Sequence, residues 1–181
     1  MAVLQIRLEG DPVLRQKAKP VPKVTKRVTK LLQDMLDTMY AADGVGLAAP
    51  QIGISERLIV VDVGEGPICL VNPELVHGEG SVIDREGCLS IPGLYGYVER
   101  YERVVVTGLG AKGKPKKVDA QGWLARALQH EIDHLDGILF IDKATGIARD
   151  TEADESDENE TAASSENDAG NTNIGKEAEQ S

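Results

Sequence analysis

Apolar positions along this chain keep two different rhythms, and each predicts a different kind of element. Between Thr25 and Ala42, Val28, Leu31, Leu32, Met35, Leu36 and Met39 recur every three or four residues, the period of a helix with one buried stripe. Thr25 stands where an N-cap is expected. Gly44 and Gly46 then break the pattern and open a loop, GVGLAAPQ (Gly44 to Gln51). From Arg57 the rhythm shortens to β-branched or alternating runs: Leu58 to Val63, Ile68 to Val71, Glu74 to Ser81, Gly96 to Leu109 and Lys116 to Ala120. Gly, Pro and Asn separate them, with AKGKP a turn, and such close spacing favours antiparallel pairing over helical crossovers. Gly122 precedes a second helix, WLARALQHEIDHLDG, in which Trp123, Ala127, His130 and His134 share adjoining parts of one face. Leu124, Leu128, Ile132 and Leu135 add a second apolar flank, so sheet should wrap this helix on more than one side. Ile138 to Asp142 is expected as a last short strand. The whole predicts an α+β fold, with antiparallel strands packed around a central helix and a further helix near the N-terminus.

Charge divides the chain. Its formal net charge is −10, yet residues 148–181 hold 11 acids against 2 bases, while residues 1–147 hold 19 acids against 18 bases. We therefore expect one folded domain over 1–147 and an acidic tail over 148–181. The tail has no aromatic residue and one Ile, too little apolar surface to offset its ordering entropy, and is expected to be disordered. No stretch has the length or apolarity of a signal peptide or a membrane span. Two cysteines, Cys69 and Cys88, make no disulfide framework, which points to the cytoplasm and reduced thiols. Cys69, inside ICLV, reads as a small buried hydrophobe.

The candidate chemistry begins with HEIDH. His130 and His134 lie four apart on the second helix, so both imidazoles leave one face a turn apart. Two such nitrogens can bind one transition metal, with Glu131 beside them as a candidate general base; the same five residues also suit a solvated helix with no metal. An open catalytic site takes a third protein ligand. Cys88, in the glycine-punctuated turn EGCLS (Glu86 to Ser90), is the stronger candidate, and His77, alone in a strand-like run, is its rival. A Cys/His/His set leaves one position for water, whose pKa the ion lowers toward neutrality. Its thiolate widens the choice of ion to iron(II), zinc, nickel or cobalt. Amide hydrolysis also needs donors for an oxyanion. The Gln51 side-chain amide and the Leu89 backbone N–H are candidates, although a lone Gln after a loop also reads as polar surface. The residues by themselves reach metal-assisted hydrolysis of a carbonyl substrate.

Three segments in order, GVGLAAPQ, EGCLS and QHEIDHLDG, resemble the three signature motifs of the peptide deformylase family, and the likeness extends over roughly the first 145 residues. The resemblance implies that Cys88, His130 and His134 bind the metal and that Glu131 is general base and acid. It implies that Gln51 and the Leu89 amide form the oxyanion hole, and that Val45 and Gly46 lie beside the substrate peptide, the missing Cβ letting a backbone approach closely. It further implies removal of the formyl group from the initiating methionine of new polypeptides, releasing formate. Iron(II) is the ion implied for the cell, with zinc, nickel or cobalt as substitutes. Glu86 and Arg100 are expected as an ion pair that orients the cysteine loop and Asp133, or else as unrelated surface charges. Trp123 and Ala127 are expected to line a pocket for the methionine side chain, or else to serve helix packing.

Relatives in the family often continue into a basic or amphipathic helix that docks on the ribosome. This chain turns acidic after Ala148, and a segment of net charge −9 should be repelled by RNA phosphates. The expected partners are formylmethionyl nascent peptides; transient ribosome association stays open, with docking of the tail on RNA disfavoured and basic ribosomal proteins its alternative partners, and neither membrane nor direct nucleic-acid binding is expected. Two other readings stay open. An HExxH endopeptidase would need a downstream His or Glu as third ligand, but no His follows His134, and the acids from Glu152 on belong to the tail. A closed structural metal site would need a fourth protein ligand, and none is evident.

Overall fold

A computed structural model describes residues 2–149. The expected tail therefore lies, beyond its first two residues, outside the described residues. The first helix, α1, spans Lys26–Ala41, with Thr25 at the N-cap position as the pattern predicts, though its hydroxyl makes no capping hydrogen bond. Three strands of one sheet follow: β1 (Gly46–Ala48), β2 (Leu58–Val61) and β3 (Ile68–Glu79). Next come β4 (Val82–Cys88), β5 (Ile91–Arg100), β6 (Arg103–Leu109) and β7 (Pro115–Gln121). The second helix, α2 (Gly122–Leu135), and a short strand, β8 (Thr145–Arg149), complete the described chain. All pairings within the two sheets are antiparallel: a five-stranded sheet ordered β1-β2-β3-β6-β7 and a three-stranded sheet ordered β4-β5-β8. No described helix is long and apolar enough to cross a membrane.

The five-stranded sheet lies between the two helices, and β2 shows why. All four of its residues are buried. Ile59 and Val61 join α2 in a cluster with Ala125, Leu128, Leu135, Leu70, Val104 and Val106. Leu58 and Val60 face the other way, into the stripe of α1 (Val28, Leu32, Met35, Met39) with Leu47 and Val71. A period of two on the strand thus feeds two cores, while the helical stripes close them. The three-stranded sheet has a smaller core of its own, Leu14, Ile91, Val98, Leu139 and Phe140.

Local chemistry moved several expected boundaries. The runs Ile68–Val71 and Glu74–Ser81 are one bulged strand, β3, with register shifts after Val71 and after Leu75. Asn72, at φ +52, sits in the first irregularity, and its amide exchanges hydrogen bonds of 2.8 and 2.9 Å with the backbone of Val21. The run Gly96–Leu109 is two strands in different sheets. The Gln129 side chain accepts from the Tyr101 N–H and donates to the Tyr101 carbonyl, replacing the ladder partners the chain loses as it crosses over. The expected loop after Gly44 contains β1 and then a 3-10 turn, Ala49–Ile52, and EGCLS begins as the last three residues of β4. Ile138–Asp142 is not a strand. Phe140–Asp142 form a 3-10 turn in which the Asp142 carboxylate accepts from the Leu139 N–H at 2.8 Å, and pairing resumes only at β8.

Gly137, just past α2, adopts φ +74, and a Cβ there would stand 2.6 Å from the Arg15 carbonyl oxygen. The left-handed conformation alone costs a non-glycine residue about 1–2 kcal/mol, and the backbone contact adds to it. Gly137→Ala is therefore expected to lower the melting temperature by about 3 °C or more, measured by circular dichroism.

Candidate metal centre

Helix α2 presents Arg126, His130 and His134 at four-residue intervals on one stripe, and all three are buried. The wall that faces them is made from strand ends. β1 and β4 are terminal strands of their sheets, so both offer an edge to the space between. The register of β4 against β5 jumps after Gly87, whose partner is Tyr95 while that of Cys88 is Ile91. Such an irregularity re-aims the bulged segment, here turning the Cys88 sulfur toward the helix.

The donor atoms of Cys88, His130 and His134 all lie within 4.8 Å of one another, with Cys88 Sγ 3.3 Å from His134 Nε2. Donors on one tetrahedral ion, at about 2.3 Å for sulfur and 2.0–2.1 Å for nitrogen, would stand roughly 3.5 Å apart, so the spacing fits. The two imidazole rings are 5.0 Å apart at their centroids. Burial opposes charge on both. At His130 the Cys88 sulfur and the Glu86 carboxylate outweigh it and push the pKa up. At His134 burial prevails, helped by positive charge on His130 and Arg100, and the pKa falls well below its usual value. Positive charge is therefore favoured on His130, between the sulfur and the Glu86 carboxylate, and disfavoured on His134. His77, the rival ligand, is exposed on β3 with Glu79 as its neighbour, and Cys69 is half-buried, packed beside the α1 core.

Behind the donors sits Glu86, buried, with every bond on its carboxylate made to α2 or β5. Arg100 donates to both oxygens at 2.7 and 2.9 Å, and Arg126 donates to Oε1 at 2.7 Å. His130 Nδ1 lies 2.9 Å from Oε2. Burial raises the pKa of Glu86, but the hydrogen bonds of Arg100 and His130 prevail and hold the carboxyl well below the usual range. An ionised carboxylate can only accept, so His130 Nδ1 carries the proton and its Nε2 is left for a metal. Arg100 also reaches Asp133 on the next turn of α2 at 2.5 Å. The expected Glu86–Arg100 pair is therefore present. Arg126 was missed; the available signal was an arginine four residues before His130 on an inward face.

Glu131 lies inward, with Oε2 buried and without a hydrogen-bond partner among the described residues. Burial pushes its pKa up to about 7, against the attraction of His130 and Arg100, which suits a group that must both take and return a proton at neutral pH. Its neighbour explains Gly46. A Cβ at that position would stand 2.3 Å from Glu131 Oε1, so the glycine makes room for the carboxylate itself. Gln51 is equally constrained: its Oε1 accepts from the Ala48 N–H at 2.8 Å, leaving Nε2 near Cys88 Sγ (3.5 Å) and Ser90 Oγ (3.2 Å). Asp43, Val45, Gly46, Gln51, Leu89, Trp123, Ala127 and Glu131 line one cleft of about 380 Å³ with Cys88 and His130. All the sequence-derived site residues are thus brought to one place, His134 through its contact with Cys88.

Residues 3–150 match the family model described as polypeptide deformylase. The chain is 58% identical to the peptide deformylase of Halothermothrix orenii, over 83% of this chain and 99% of that one. Among solved structures it resembles peptide deformylase from Thermotoga maritima, at 44% identity and a TM-score of 0.78 over 80% of this chain and 99% of that chain. It also resembles the enzyme from Synechococcus elongatus in complex with actinonin, at 42% identity and a TM-score of 0.77, over 89% of this chain and 87% of that chain.

Replacing Glu86 by Gln would leave Arg126 buried without a carboxylate and Arg100 with Asp133 alone, a loss of about 3–5 kcal/mol at neutral pH. Because the folded pKa of Glu86 is depressed, its contribution is complete above the ordinary value of 4.5 and is lost as pH falls below that value. Urea melts of wild type and Glu86→Gln should therefore differ most near neutrality and converge in acid.

Proposed function

The chain belongs to the polypeptide deformylase family, and from that membership we propose how its residues divide the work of removing an N-formyl group from nascent polypeptides. It is a metal-dependent amide hydrolase acting on formylated new chains. Cys88, His130 and His134 hold one divalent ion, iron(II) in the cell, with zinc, nickel or cobalt as substitutes. When bound, that ion supplies a Lewis acid and makes water acidic enough to attack a carbonyl at neutral pH.

The protein's own groups do the rest. Glu131 takes the proton of the attacking water and returns it to the departing amine, releasing formate. Gln51 Nε2 and the Leu89 N–H stabilise the oxyanion of the tetrahedral intermediate. Gln51 is held for this task by the Ala48 N–H, so it has little reorganisation to undergo. Val45 and Gly46 lie along the substrate backbone, between the free edges of β1 and β4. Trp123, half-exposed, and Ala127 line the place of the methionine side chain. Because Glu131 fills the space above Gly46, little volume is left for an acyl group larger than formyl.

The observation that supports this reading best is the meeting of three metal-type donors, a buried carboxyl and an anchored amide in a single cleft. The third donor is a thiol from a strand end, which is unlike the downstream His or Glu expected of an HExxH endopeptidase. The substrate places the reaction in the cytoplasm. Ribosome association through residues 148–181 is not part of the reading, since their charge opposes it.

Glu131→Ala is expected to retain one equivalent of metal while formate release from formyl-Met-peptide falls by about 10²–10⁴-fold; a metal-loaded variant with full activity would contradict the assignment. Anaerobic purification with metal analysis is expected to find iron, and chelation to abolish formate release until iron(II) is restored. Acetyl-Met-peptide should be a poor substrate, and cleavage of internal peptide bonds would overturn the reading.

A further inference from the structure

Gln51 and Ser90 belong to different elements, the 3-10 turn Ala49–Ile52 and the turn between β4 and β5. Two kinds of hydrogen bond join them. The first is made by the backbone near the N-terminus, where the Arg7 N–H donates to the Gln51 carbonyl at 2.7 Å and the Glu9 N–H to the Ser90 carbonyl at 2.8 Å. Donors two residues apart thus hold both turns against one stretch of chain. The second joins the side chains: Gln51 Nε2 donates to Ser90 Oγ at 3.2 Å, and both residues are buried. Gln51 lines the cleft and Ser90 does not.

The Ala48 N–H fixes only the oxygen end of the Gln51 amide. About that one bond the amide plane can still turn, and Nε2 carries two hydrogens whose directions are set by the plane. By accepting one of them, Ser90 Oγ removes the remaining rotation. The other hydrogen is then left for the side of Cys88, whose Sγ lies 3.5 Å from Nε2 among the metal-type donors. A donor aimed before the reaction begins needs no reorganisation when charge develops.

Resting on the deformylase reading, we propose that Ser90 is a positioning residue, whose hydroxyl accepts one Nε2 hydrogen of Gln51 so that the other is aimed at the oxyanion. Ser90 acts only through Gln51. Its worth to the reaction therefore exists while the Gln51 amide is present and vanishes without it, whereas a serine that merely packs the turn beside Cys88 would matter equally in both cases.

The test is a double-mutant cycle on Ser90 and Gln51, reading kcat and KM for formate release from formyl-Met-Ala-Ser with metal-loaded proteins. Ser90→Ala deletes a single oxygen. It should lower kcat by roughly three- to tenfold, the scale of one hydrogen bond, with metal content and KM unchanged because the oxyanion exists only in the transition state. Gln51→Ala should lower kcat by about 10²–10³-fold, and adding Ser90→Ala to it should change kcat by less than about twofold. In zinc-loaded protein labelled with 15N-glutamine, Ser90→Ala should also lower the NMR order parameter of the Gln51 side-chain amide, a readout independent of turnover. An equal loss of kcat with and without Gln51, metal lost from Ser90→Ala, or an unchanged Gln51 order parameter overturns the proposal. Wild type that releases no formate, or a Gln51→Ala protein as fast as wild type, instead defeats the deformylase reading or its oxyanion assignment, which separates the two.

Discussion

One buried carboxylate organises this molecule. Glu86 belongs to the small sheet, yet its hydrogen bonds run to Arg100 at the far end of β5 and to Arg126 and His130 on α2. A charge so buried is costly unless every lone pair is used, and here two guanidinium groups and an imidazole use them. The same bonds set the His130 tautomer and tie the helix of the histidines to the strand of the cysteine. The position of the third donor is therefore coupled to the packing of the two sheets. Arg126 extends the tie by donating to the carbonyls of Val98 and Val82, and Arg100 by reaching Asp133.

Around that tie, the site is built from rigid parts that approach closely at Gly46 and Glu131. The α2 helix is held against the five-stranded sheet by a continuous apolar cluster, so the imidazoles are carried on a packed element rather than a loop. Phe140 closes the other side, its ring stacked near that of His130. Gly46 and Glu131 fit so closely that a methyl group at the first would displace the second. The same closeness that keeps the carboxyl out of water keeps its pKa near neutrality. One contact thus accounts both for the burial of the carboxyl and for the glycine at position 46.

Much of this architecture was legible in the residues. The period of α1 and the four-residue spacing on α2 each express a single local rule and each produced a helix in the expected place, while the β-branched runs produced strands whose bounds differ, two runs merging into β3 and one dividing between β5 and β6. Residues whose neighbours are remote in sequence were less legible. Tyr101 ends β5 because a side chain 28 positions away, Gln129, satisfies its backbone. Phe140 turns rather than extends because Asp142 folds back on the Leu139 N–H, and no hydrophobic pattern reports that.

The chain by itself determined the kinds of chemistry available: two imidazoles one turn apart, a lone thiol between glycine and leucine, a carboxyl beside the first imidazole. Periodicity and residue type suffice for that, because they act over one or two turns of backbone. Only the tertiary structure decided that Cys88 and not His77 joins the histidines, that Glu86 fixes the His130 tautomer, and that Gly46 exists to admit Glu131. Those choices depend on which atoms meet across two sheets and a helix, and the distances between remote residues are set by packing rather than by any local pattern.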